Sequence, residues 1–349
     1  MKALVKTQKG VGFIEVRDMP DPGRPGPGEV RIRVAACGIC GSDIHIRHDQ
    51  FPYWPPVILG HEFAGTIESC GPDCRRLKPG DRVVAEPHTK ACGVCPPCRT
   101  GQIQICPHKR SPGWGIHGGM TSWINYPEAL LHRIPDGMTW DQAVMVEPTA
   151  NAVTDLIIRR TFTPGDYVVV IGPGPIGLLA ALTARTCGAR AVTILGTSSD
   201  ESLRLPKAQE LGFTRTINVQ KEDAVAAVLD DTGGSGADLV VECSGAPRAI
   251  AGAAALARKL GTICAIGLTG NRPVELPWDD FQKKVLTLSF NMSTHYLAWD
   301  RSIALIASGA IPAERLITHK APLREWERLF DAIEKQEALK GVLIPEESP

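Results

Sequence analysis

The chain has 349 residues, of which 43% are hydrophobic and 22% charged, and this composition is typical of a globular protein. The formal net charge is zero, which argues against a nucleic-acid partner and against binding to an anionic membrane surface. We find no signal-peptide core and no apolar run of bilayer length, so we expect a cytoplasmic protein without a membrane anchor. The length favours two domains.

The first 150 residues contain short β-like runs between turns rich in proline and glycine. Residues 30–34 (VRIRV) alternate between apolar and charged side chains, and the turn-forming stretch 22–28 (PGRPGPG) precedes them. Alternation of this kind, interrupted by such turns, predicts an all-β, barrel-like unit over residues 1–150.

Two short motifs of this unit carry residues that suit a metal ion. Residues 37–45 read CGICGSDIH, and residues 60–65 read GHEFAG. Cysteine and histidine are good zinc ligands, and glutamate is an acceptable one. Because Cys37 and Cys40 form a C-x-x-C pair, the spacing alone does not decide which of them binds metal.

Four of the 11 cysteines share the spacing C-x2-C-x2-C-x7-C, in a loop at about residues 88–110. In a chain with no mark of secretion, this spacing indicates metal binding rather than disulfides. Four thiolates close a tetrahedral zinc site without an open position, so we expect a structural zinc. A nucleic-acid-binding zinc ribbon is the rival interpretation, and the neutral charge of the chain opposes it. The predicted ligands are Cys92, Cys95, Cys98 and Cys106.

From about residue 151 the pattern changes to alternating strands and helices. Strands are predicted at residues 167–171, 191–195, 238–243 and 262–267, and a helix is predicted at 176–187. This alternation predicts an α/β fold with a doubly wound parallel sheet over residues 151–293. The last segment, 294–349, contains predicted helices at 299–308 and 323–336.

A G-x-G-x-x-G motif joins the first strand of this region to its helix, which is the context of a dinucleotide site. Its first glycine permits the tight turn, its second admits the pyrophosphate, and its third lets helix and strand pack closely. The helix N-terminus offers free N–H groups to the phosphates. The predicted cofactor contacts are Gly172, Gly174, Pro175, Ile176 and Gly177.

The end of the second strand favours NADP over NAD. An NAD site places an acidic residue there to hold the ribose diol, but this position is Gly196. Its neighbours Thr197 and Ser198 leave room for a 2′-phosphate, and Arg204 or Arg215 would supply positive charge. In the alternative interpretation, Asp200 swings in and binds the ribose of NAD.

Together these motifs resemble the zinc-dependent medium-chain alcohol dehydrogenases. The resemblance rests on residues 39–43 (ICGSD), 60–74, 77–83 (LKPGDRV), the four-cysteine loop and 172–177, in the order that the family has. Residues 146–149 (VEPT) resemble the sorbitol and threonine dehydrogenase branch, in which a glutamate replaces a cysteine ligand.

The resemblance implies a GroES-like β-barrel catalytic domain over 1–150 and a Rossmann coenzyme domain over 151–293. Residues 294–349 would return to the catalytic domain. It also implies a homotetramer or homodimer and two zinc ions per chain, one catalytic and one structural.

By the same resemblance, Cys40 and His61 ligate the catalytic zinc, and Cys37 is a bystander. Glu62 is either a direct ligand or a close partner, and Glu147 either binds the metal or holds its water.

The resemblance further implies that Asp43 orients His61 and that Ser42 and His45 relay the alcohol proton to solvent. The implied reaction transfers a hydride from a secondary alcohol or polyol to NAD(P), giving the ketone. A segment at 290–296 lacks the arginine of sorbitol dehydrogenases, which puts sorbitol itself in doubt. The alternatives are an L-threonine or amino-alcohol 3-dehydrogenase, a zinc-free reductase and a non-enzymatic zinc-binding protein.

Overall fold

The computed structural model describes residues 1–270 and 272–346. Within them the chain forms two compact units. Unit 1 comprises Met1–Glu147 and the segment from Ser293 onward, and unit 2 comprises Pro148–Met292. A search of the described helices finds none that combines the length and the hydropathy needed to cross a membrane.

The strands are numbered in chain order. They are β1 (Lys2–Lys6), β2 (Ile14–Asp18), β3 (Glu29–Gly38), β4 (Val57–Ile58), β5 (Glu62–Cys70), β6 (Arg82–Ala85), β7 (Trp123–Pro127), β8 (Leu131–Arg133), β9 (Tyr167–Ile171), β10 (Ala191–Gly196), β11 (Arg215–Asn218), β12 (Ala237–Glu242), β13 (Ala257–Ala265), β14 (Thr287–Phe290), β15 (Ile317–Pro322) and β16 (Lys340–Ile344).

The α-helices are numbered in the same way. They are α1 (Gly41–Arg47), α2 (Pro96–Arg99), α3 (Trp140–Val144), α4 (Val146–Val153), α5 (Pro175–Thr186), α6 (Arg204–Glu210), α7 (Ala224–Asp231), α8 (Pro247–Leu256), α9 (Trp278–Lys284), α10 (Tyr296–Ala307) and α11 (Trp326–Glu334). A π-helical turn, Thr154–Ile158, extends α4.

Unit 1 is the predicted β-rich unit. One of its sheets has the order β15-β16-β3-β5-β6-β8, with β7 also pairing with β3, and another has the order β2-β1-β4. The alternation in β3 predicted its faces, because Val30, Ile32 and Val34 are buried while Arg33 is exposed. β3 continues past the predicted residue 34 to Gly38, since β5 pairs with it along that whole length.

Unit 2 is the predicted doubly wound sheet. Its strands lie in the order β11-β10-β9-β12-β13-β14, and each neighbouring pair is parallel. Counted from β9, this is the order 3-2-1-4-5-6, in which a dinucleotide binds where the strand order reverses. β9 is buried along its whole length, as its apolar sequence predicted. The predicted α/β class, with a Rossmann-type sheet, is confirmed.

The segment from Ser293 onward packs into unit 1 through α10. The indole of Trp299 is fully buried and stacks on the imidazole of His132, with 5.4 Å between ring centroids. His132 also contacts Glu86 at 2.9 Å and Asp300 at 2.8 Å through its two ring nitrogens. The Trp299 indole N–H donates to the hydroxyl of Thr294. This segment therefore belongs to the core of unit 1.

We expect Trp299→Ala to destabilise unit 1 by about 3–5 kcal/mol, because it removes a fully buried indole and leaves a cavity. The matched control is Trp278→Ala, which changes a tryptophan that is 67% exposed in unit 2 and should cost less than about 0.5 kcal/mol. Differential scanning calorimetry compares the two variants with wild type. Equal melting temperatures for both variants would contradict the packing described for α10.

Candidate metal and cofactor sites

The first candidate metal site lies where β3 ends and β5 begins. Cys40 immediately precedes α1, and His61 and Glu62 stand at the start of β5. Because β3 and β5 are antiparallel neighbours with Gly38 opposite Glu62, strand pairing brings the two motifs together. One ligand atom from each of Cys40, His61 and Glu62 lies within 4.8 Å of the others.

Several polar atoms around this cluster are buried and unpaired. The Asp43 carboxylate accepts a hydrogen bond from the Cys40 N–H at 2.9 Å, and not from His61 as the resemblance implied. Its other oxygen, the Nδ1 of His61 and the Oγ of Ser42 have no hydrogen-bond partner among the described residues. His45 is exposed one helical turn after Ser42, at the end of α1 that faces solvent.

The charge around the cluster suits a dication. Burial lowers the pKa of His61, but the charges of Cys40, Asp43 and Glu147 raise it, and the result is about 10. Burial likewise lowers the pKa of Lys340, yet Glu62 and Cys40 raise it above its usual range. The surrounding anions thus favour positive charge at His61 and Lys340, and a neutral imidazole together with a thiolate and a carboxylate forms a donor set that fits zinc.

Glu147 is buried at the start of α4, where it acts on the pKa of His61 and Lys340. Its carboxylate is not part of the cluster of atoms within 4.8 Å. Glu147 therefore lies near Cys40, His61 and Glu62 but outside their cluster of candidate ligand atoms.

Sequence reasoning missed Lys340, which lies 278 positions from Glu62 in the chain. Its ammonium is buried, forms an ion pair with Oε2 of Glu62 and donates to the Ile39 carbonyl at 2.9 Å. A lysine in the segment ALKGVL has no local signature of a site. The only available signal was its position at the start of an otherwise apolar strand.

The second candidate metal site is the four-cysteine loop. The sulfur atoms of the four predicted ligands lie within 4.8 Å of one another, and the Sγ atoms of Cys95 and Cys106 are 3.9 Å apart. A tetrahedron with Zn–S bonds of about 2.3 Å has edges of about 3.8 Å, so the spacing fits. The N–H of Cys92 donates to the sulfur of Cys106 at 3.3 Å and lowers its pKa to about 6.

Aromatic side chains line one flank of the first site. The Trp114 indole meets the His61 ring edge-on, with centroids 4.8 Å apart, and meets Phe51 at 5.3 Å. Trp54 donates its backbone N–H to the Trp114 carbonyl, and the Arg110 guanidinium lies 4.6 Å from the Trp54 ring. Trp114 thus contacts a candidate ligand directly.

His117, which the sequence offered with Trp54 and Trp114 as either a pocket residue or a core or surface residue, contacts the backbone of β4. Its Nδ1 accepts a hydrogen bond from the N–H of Ile58 at 3.2 Å.

The glycine motif occupies the predicted turn between β9 and α5 in unit 2. Gly174 precedes the helix, and Pro175 is its first residue. A Cβ on Gly177 would lie 2.0 Å from the Gly172 carbonyl oxygen, so only glycine permits this packing. Ile176 lies in the same first turn of α5. This helix follows β9, the strand at which the strand order of the sheet reverses.

The acidic residue closest to the end of β10 is already engaged. Asp200 is 6% exposed and accepts hydrogen bonds from the N–H and hydroxyl of Thr197 at 2.9 and 3.0 Å. Its other oxygen accepts from Arg204 at 3.2 Å. The hydroxyl of Ser198 accepts a hydrogen bond from the side-chain amide of Asn218, and Ser198 lies two positions after Gly196, the last residue of β10.

Arg215 was a wrong candidate for the cofactor phosphate. It stands opposite Thr193, about 10 Å along the strand from Gly196, and it pairs with Asp231 and Glu222.

Comparison with known proteins gives a consistent result. Residues 26–136 match the alcohol dehydrogenase GroES-like domain, and residues 175–308 match the zinc-binding dehydrogenase domain. The chain is 37% identical to a sorbitol dehydrogenase of Halalkalibacterium halodurans, over 99% of each chain. It is 34% identical to an L-threonine 3-dehydrogenase of Bacillus velezensis, again over 99% of each.

Among solved structures, a protein of Sinorhizobium meliloti 1021 that was crystallised bound to NADP has a TM-score of 0.91 and 30% identity, over 99% of each chain.

We expect Cys95→Ser to remove one bound zinc ion per chain and to lower the melting temperature, because three thiolates hold zinc less tightly than four. The control is Cys187→Ser in α5's C-terminal cap, a thiol outside both clusters, which should leave the zinc content unchanged. Atomic absorption measures the zinc content. Full zinc content in Cys95→Ser would argue against a metal in the loop.

Proposed function

Because the chain belongs to the zinc-dependent medium-chain alcohol dehydrogenase family, we propose that it oxidises a secondary alcohol or polyol to the ketone with NADP. The family resemblance deduced from the sequence is confirmed, and with it the class of enzyme, an NAD(P)-dependent oxidoreductase acting on alcohols. The observation that carries the proposal is the cluster of Cys40, His61 and Glu62 in a buried, negatively charged setting.

Cys40 and His61 would hold the catalytic zinc, with Glu147 as a third ligand or as the holder of its water. A zinc ion bound there supplies Lewis acidity that lowers the pKa of the substrate hydroxyl. Ser42, whose buried Oγ has no partner among the described residues, accepts the substrate proton. His45, exposed at the far end of α1, passes that proton to solvent.

Cys92, Cys95, Cys98 and Cys106 would hold the structural zinc. The four sulfur atoms leave no open ligand position, so the loop supports the fold and takes no part in hydride transfer.

The cofactor would lie on the glycine motif, with its pyrophosphate at the N-terminus of α5. NADP is favoured because Gly196 bears no carboxylate and because Asp200 is buried against Thr197 and Arg204. The hydroxyls of Thr197 and Ser198 and the guanidinium of Arg204 would then contact the 2′-phosphate. Positioning the nicotinamide against the substrate is the remaining task of the protein.

Polyols are favoured over threonine as substrates. The relatives include both a sorbitol dehydrogenase and a threonine dehydrogenase, with a slightly higher identity to the former. Burial lowers the pKa of Lys109 to about 8, while the charge of Glu147 raises it, and an ammonium at this position would suit hydroxyl or phosphate oxygens of a substrate better than the ammonium of an amino acid. Phosphorylated polyols therefore belong in a substrate panel.

We also propose a homotetramer or homodimer. β14 stands at one edge of the unit 2 sheet, and Phe290 and Met292 beside that edge are 63% and 54% exposed. An edge strand with exposed apolar side chains is a common site of self-association.

Zinc-loaded enzyme should oxidise at least one member of a panel of polyols, polyol phosphates, vicinal diols and threonine. Cys40→Ser should lose activity by a factor of about 10³ or more while keeping its fold, because the metal loses a thiolate ligand. Cys37→Ala changes the neighbouring buried thiol and should remain active. Reduced cofactor is followed by its near-ultraviolet absorbance, and an active, zinc-replete Cys40→Ser enzyme would refute the ligand assignment.

Arg204→Gln should raise the KM for NADP by about tenfold and leave the KM for NAD nearly unchanged, because only NADP carries the 2′-phosphate. The matched control is Arg215→Gln, whose guanidinium is engaged at the other end of the strand and which should alter neither value. Steady-state kinetics with both cofactors measures the effect. A wild-type enzyme that prefers NAD would overturn this interpretation of Gly196.

A further inference from the structure

Lys109 carries a charge for which the protein itself provides no partner. Its side chain is half-buried, and among the residues that the structure describes its ammonium forms no hydrogen bond and no ion pair. Burial lowers the pKa of Lys109 to about 8, although the charges of Glu147 and Cys106 raise it. Withdrawing an ammonium from water without a partner costs free energy, so this position suits an anion that comes from outside the chain.

Lys109 stands on a short segment that joins the two candidate metal sites. Its N–H donates to the carbonyl of Cys106, a predicted ligand of the structural zinc, at 3.1 Å. Four positions after Lys109, Gly113 packs so closely that a Cβ on it would lie 2.9 Å from the backbone nitrogen of Gly60. Gly60 directly precedes His61, a candidate ligand of the catalytic zinc. The segment that carries Lys109 therefore runs from one candidate metal site to the other.

The backbone beside Lys109 is fixed to a neighbouring stretch of the chain. Arg110 donates its N–H to the Thr89 carbonyl at 2.8 Å, and its own carbonyl accepts a hydrogen bond from the Thr89 hydroxyl. Ser111 donates its hydroxyl to the Pro87 carbonyl at 2.6 Å. The Arg110 guanidinium also donates to the carbonyl of Lys109 at 2.9 Å. A charge carried by a fixed backbone is preorganised for a ligand, because less conformational freedom is lost on binding.

The charge of Lys109 acts on two buried groups of unit 1. Burial and then the charge of Lys109 lower the pKa of His88 to about 3, while the charge of Glu147 raises the pKa of Lys109. His88 and Glu147 are both buried, so the ammonium lies near the interior of the unit. In the proposed function Glu147 serves the zinc ion, which would compensate its charge and leave the ammonium without an anion.

From this arrangement we infer that Lys109 is a substrate-binding residue that holds the phosphate group of a phosphorylated polyol. The inference rests on the proposed function and narrows its substrate class. A neutral polyol offers Lys109 no negative charge, and an amino acid offers a carboxylate together with its own ammonium. A phosphate monoester offers a charge of about −1.5 to −2 and three acceptor oxygens. Its binding energy, realised away from the reacting carbon, would orient that carbon for oxidation.

The first test needs no turnover. Zinc-loaded wild type is treated with acetic anhydride, and mass spectrometry follows the acetylation of each lysine. The additions are tetritol, pentitol and hexitol phosphates, the matched unphosphorylated polyols, and aldonates, which carry a carboxylate instead. We expect at least one polyol phosphate, at saturation, to slow the acetylation of Lys109 about tenfold, and its matched polyol to leave it unchanged. Lys90, an exposed lysine of the same loop, is the internal control and should not respond.

Steady-state kinetics then tests whether the bound phosphate contributes to the reaction. Lys109→Met removes the charge and should lower kcat/KM for the protecting polyol phosphate by about 10- to 100-fold, because a charged hydrogen bond is lost. For the matched neutral polyol, kcat/KM should change by less than about threefold. Lys109→Arg keeps the charge and should retain most of the preference for the phosphorylated substrate. The matched control, Lys90→Met, should resemble wild type with both substrates.

Three results would overturn the inference while leaving the proposed function intact. If no polyol phosphate slows the acetylation of Lys109, the residue does not bind phosphate. If aldonates protect it equally well, it is a carboxylate site. If Lys109→Met loses kcat/KM equally for both substrates, its role is structural. The acetylation result decides even if Lys109→Met does not fold. Wild type that oxidises no alcohol of the panel, phosphorylated or neutral, would overturn the proposed function and this inference together.

Discussion

Concentrated negative charge inside unit 1 is the constraint on which the rest of the candidate site depends. Cys40, Asp43, Glu62 and Glu147 gather acidic groups in a region where at least three of them are almost wholly buried. Such a group of anions is stable only with cations beside it. His61 and Lys340 supply part of the compensation, and the neighbouring anions raise the pKa of each. A zinc ion held by these residues, as proposed, would add the missing positive charge.

Strand pairing meets this constraint geometrically. β3, β5 and β16 are neighbours, and at one end of them lie the turn with Cys40, the start of β5 with His61, and Lys340. Each contributing residue lies within two positions of the end of its strand. The site therefore needs no long loop to assemble it, and its precision derives from backbone hydrogen bonds.

Much of this was predictable from local patterns. The Rossmann-type sheet follows from alternating apolar strands and helices, and the four-cysteine cluster follows from spacing alone, because each signal lies within a few residues. Arg215 was misplaced because a sequence does not show how far along a strand a side chain lies from the cofactor edge. Lys340 was missed because its partner is 278 residues away and no motif surrounds it.

Asp200 shows a third reason why the sequence alone did not predict the whole candidate site. The sequence permitted it either to bind the ribose of NAD or to stand aside, and the difference depends on one hydrogen-bonded turn with Thr197 and on the ion pair with Arg204. Neither contact has a sequence pattern that would have decided between these two interpretations of Asp200. The packing of the turn after β10 buries the carboxylate, and this burial supports the proposed preference for NADP.

The late position of Lys340 in the chain has a consequence for how unit 1 forms. β3 and β5 can pair as soon as both exist, and that pairing already sets Cys40 beside His61 and Glu62. Without β16 on β3, however, the Glu62 carboxylate lacks its ion-pair partner, and His61 alone compensates the anionic cluster in part. Because Lys340 is the first residue of β16, the pairing of this strand with β3 also sets the ammonium beside Glu62. The segment that returns to unit 1 after Ser293 therefore contributes to the candidate metal site, since it carries the only buried ammonium that touches the cluster among the described residues.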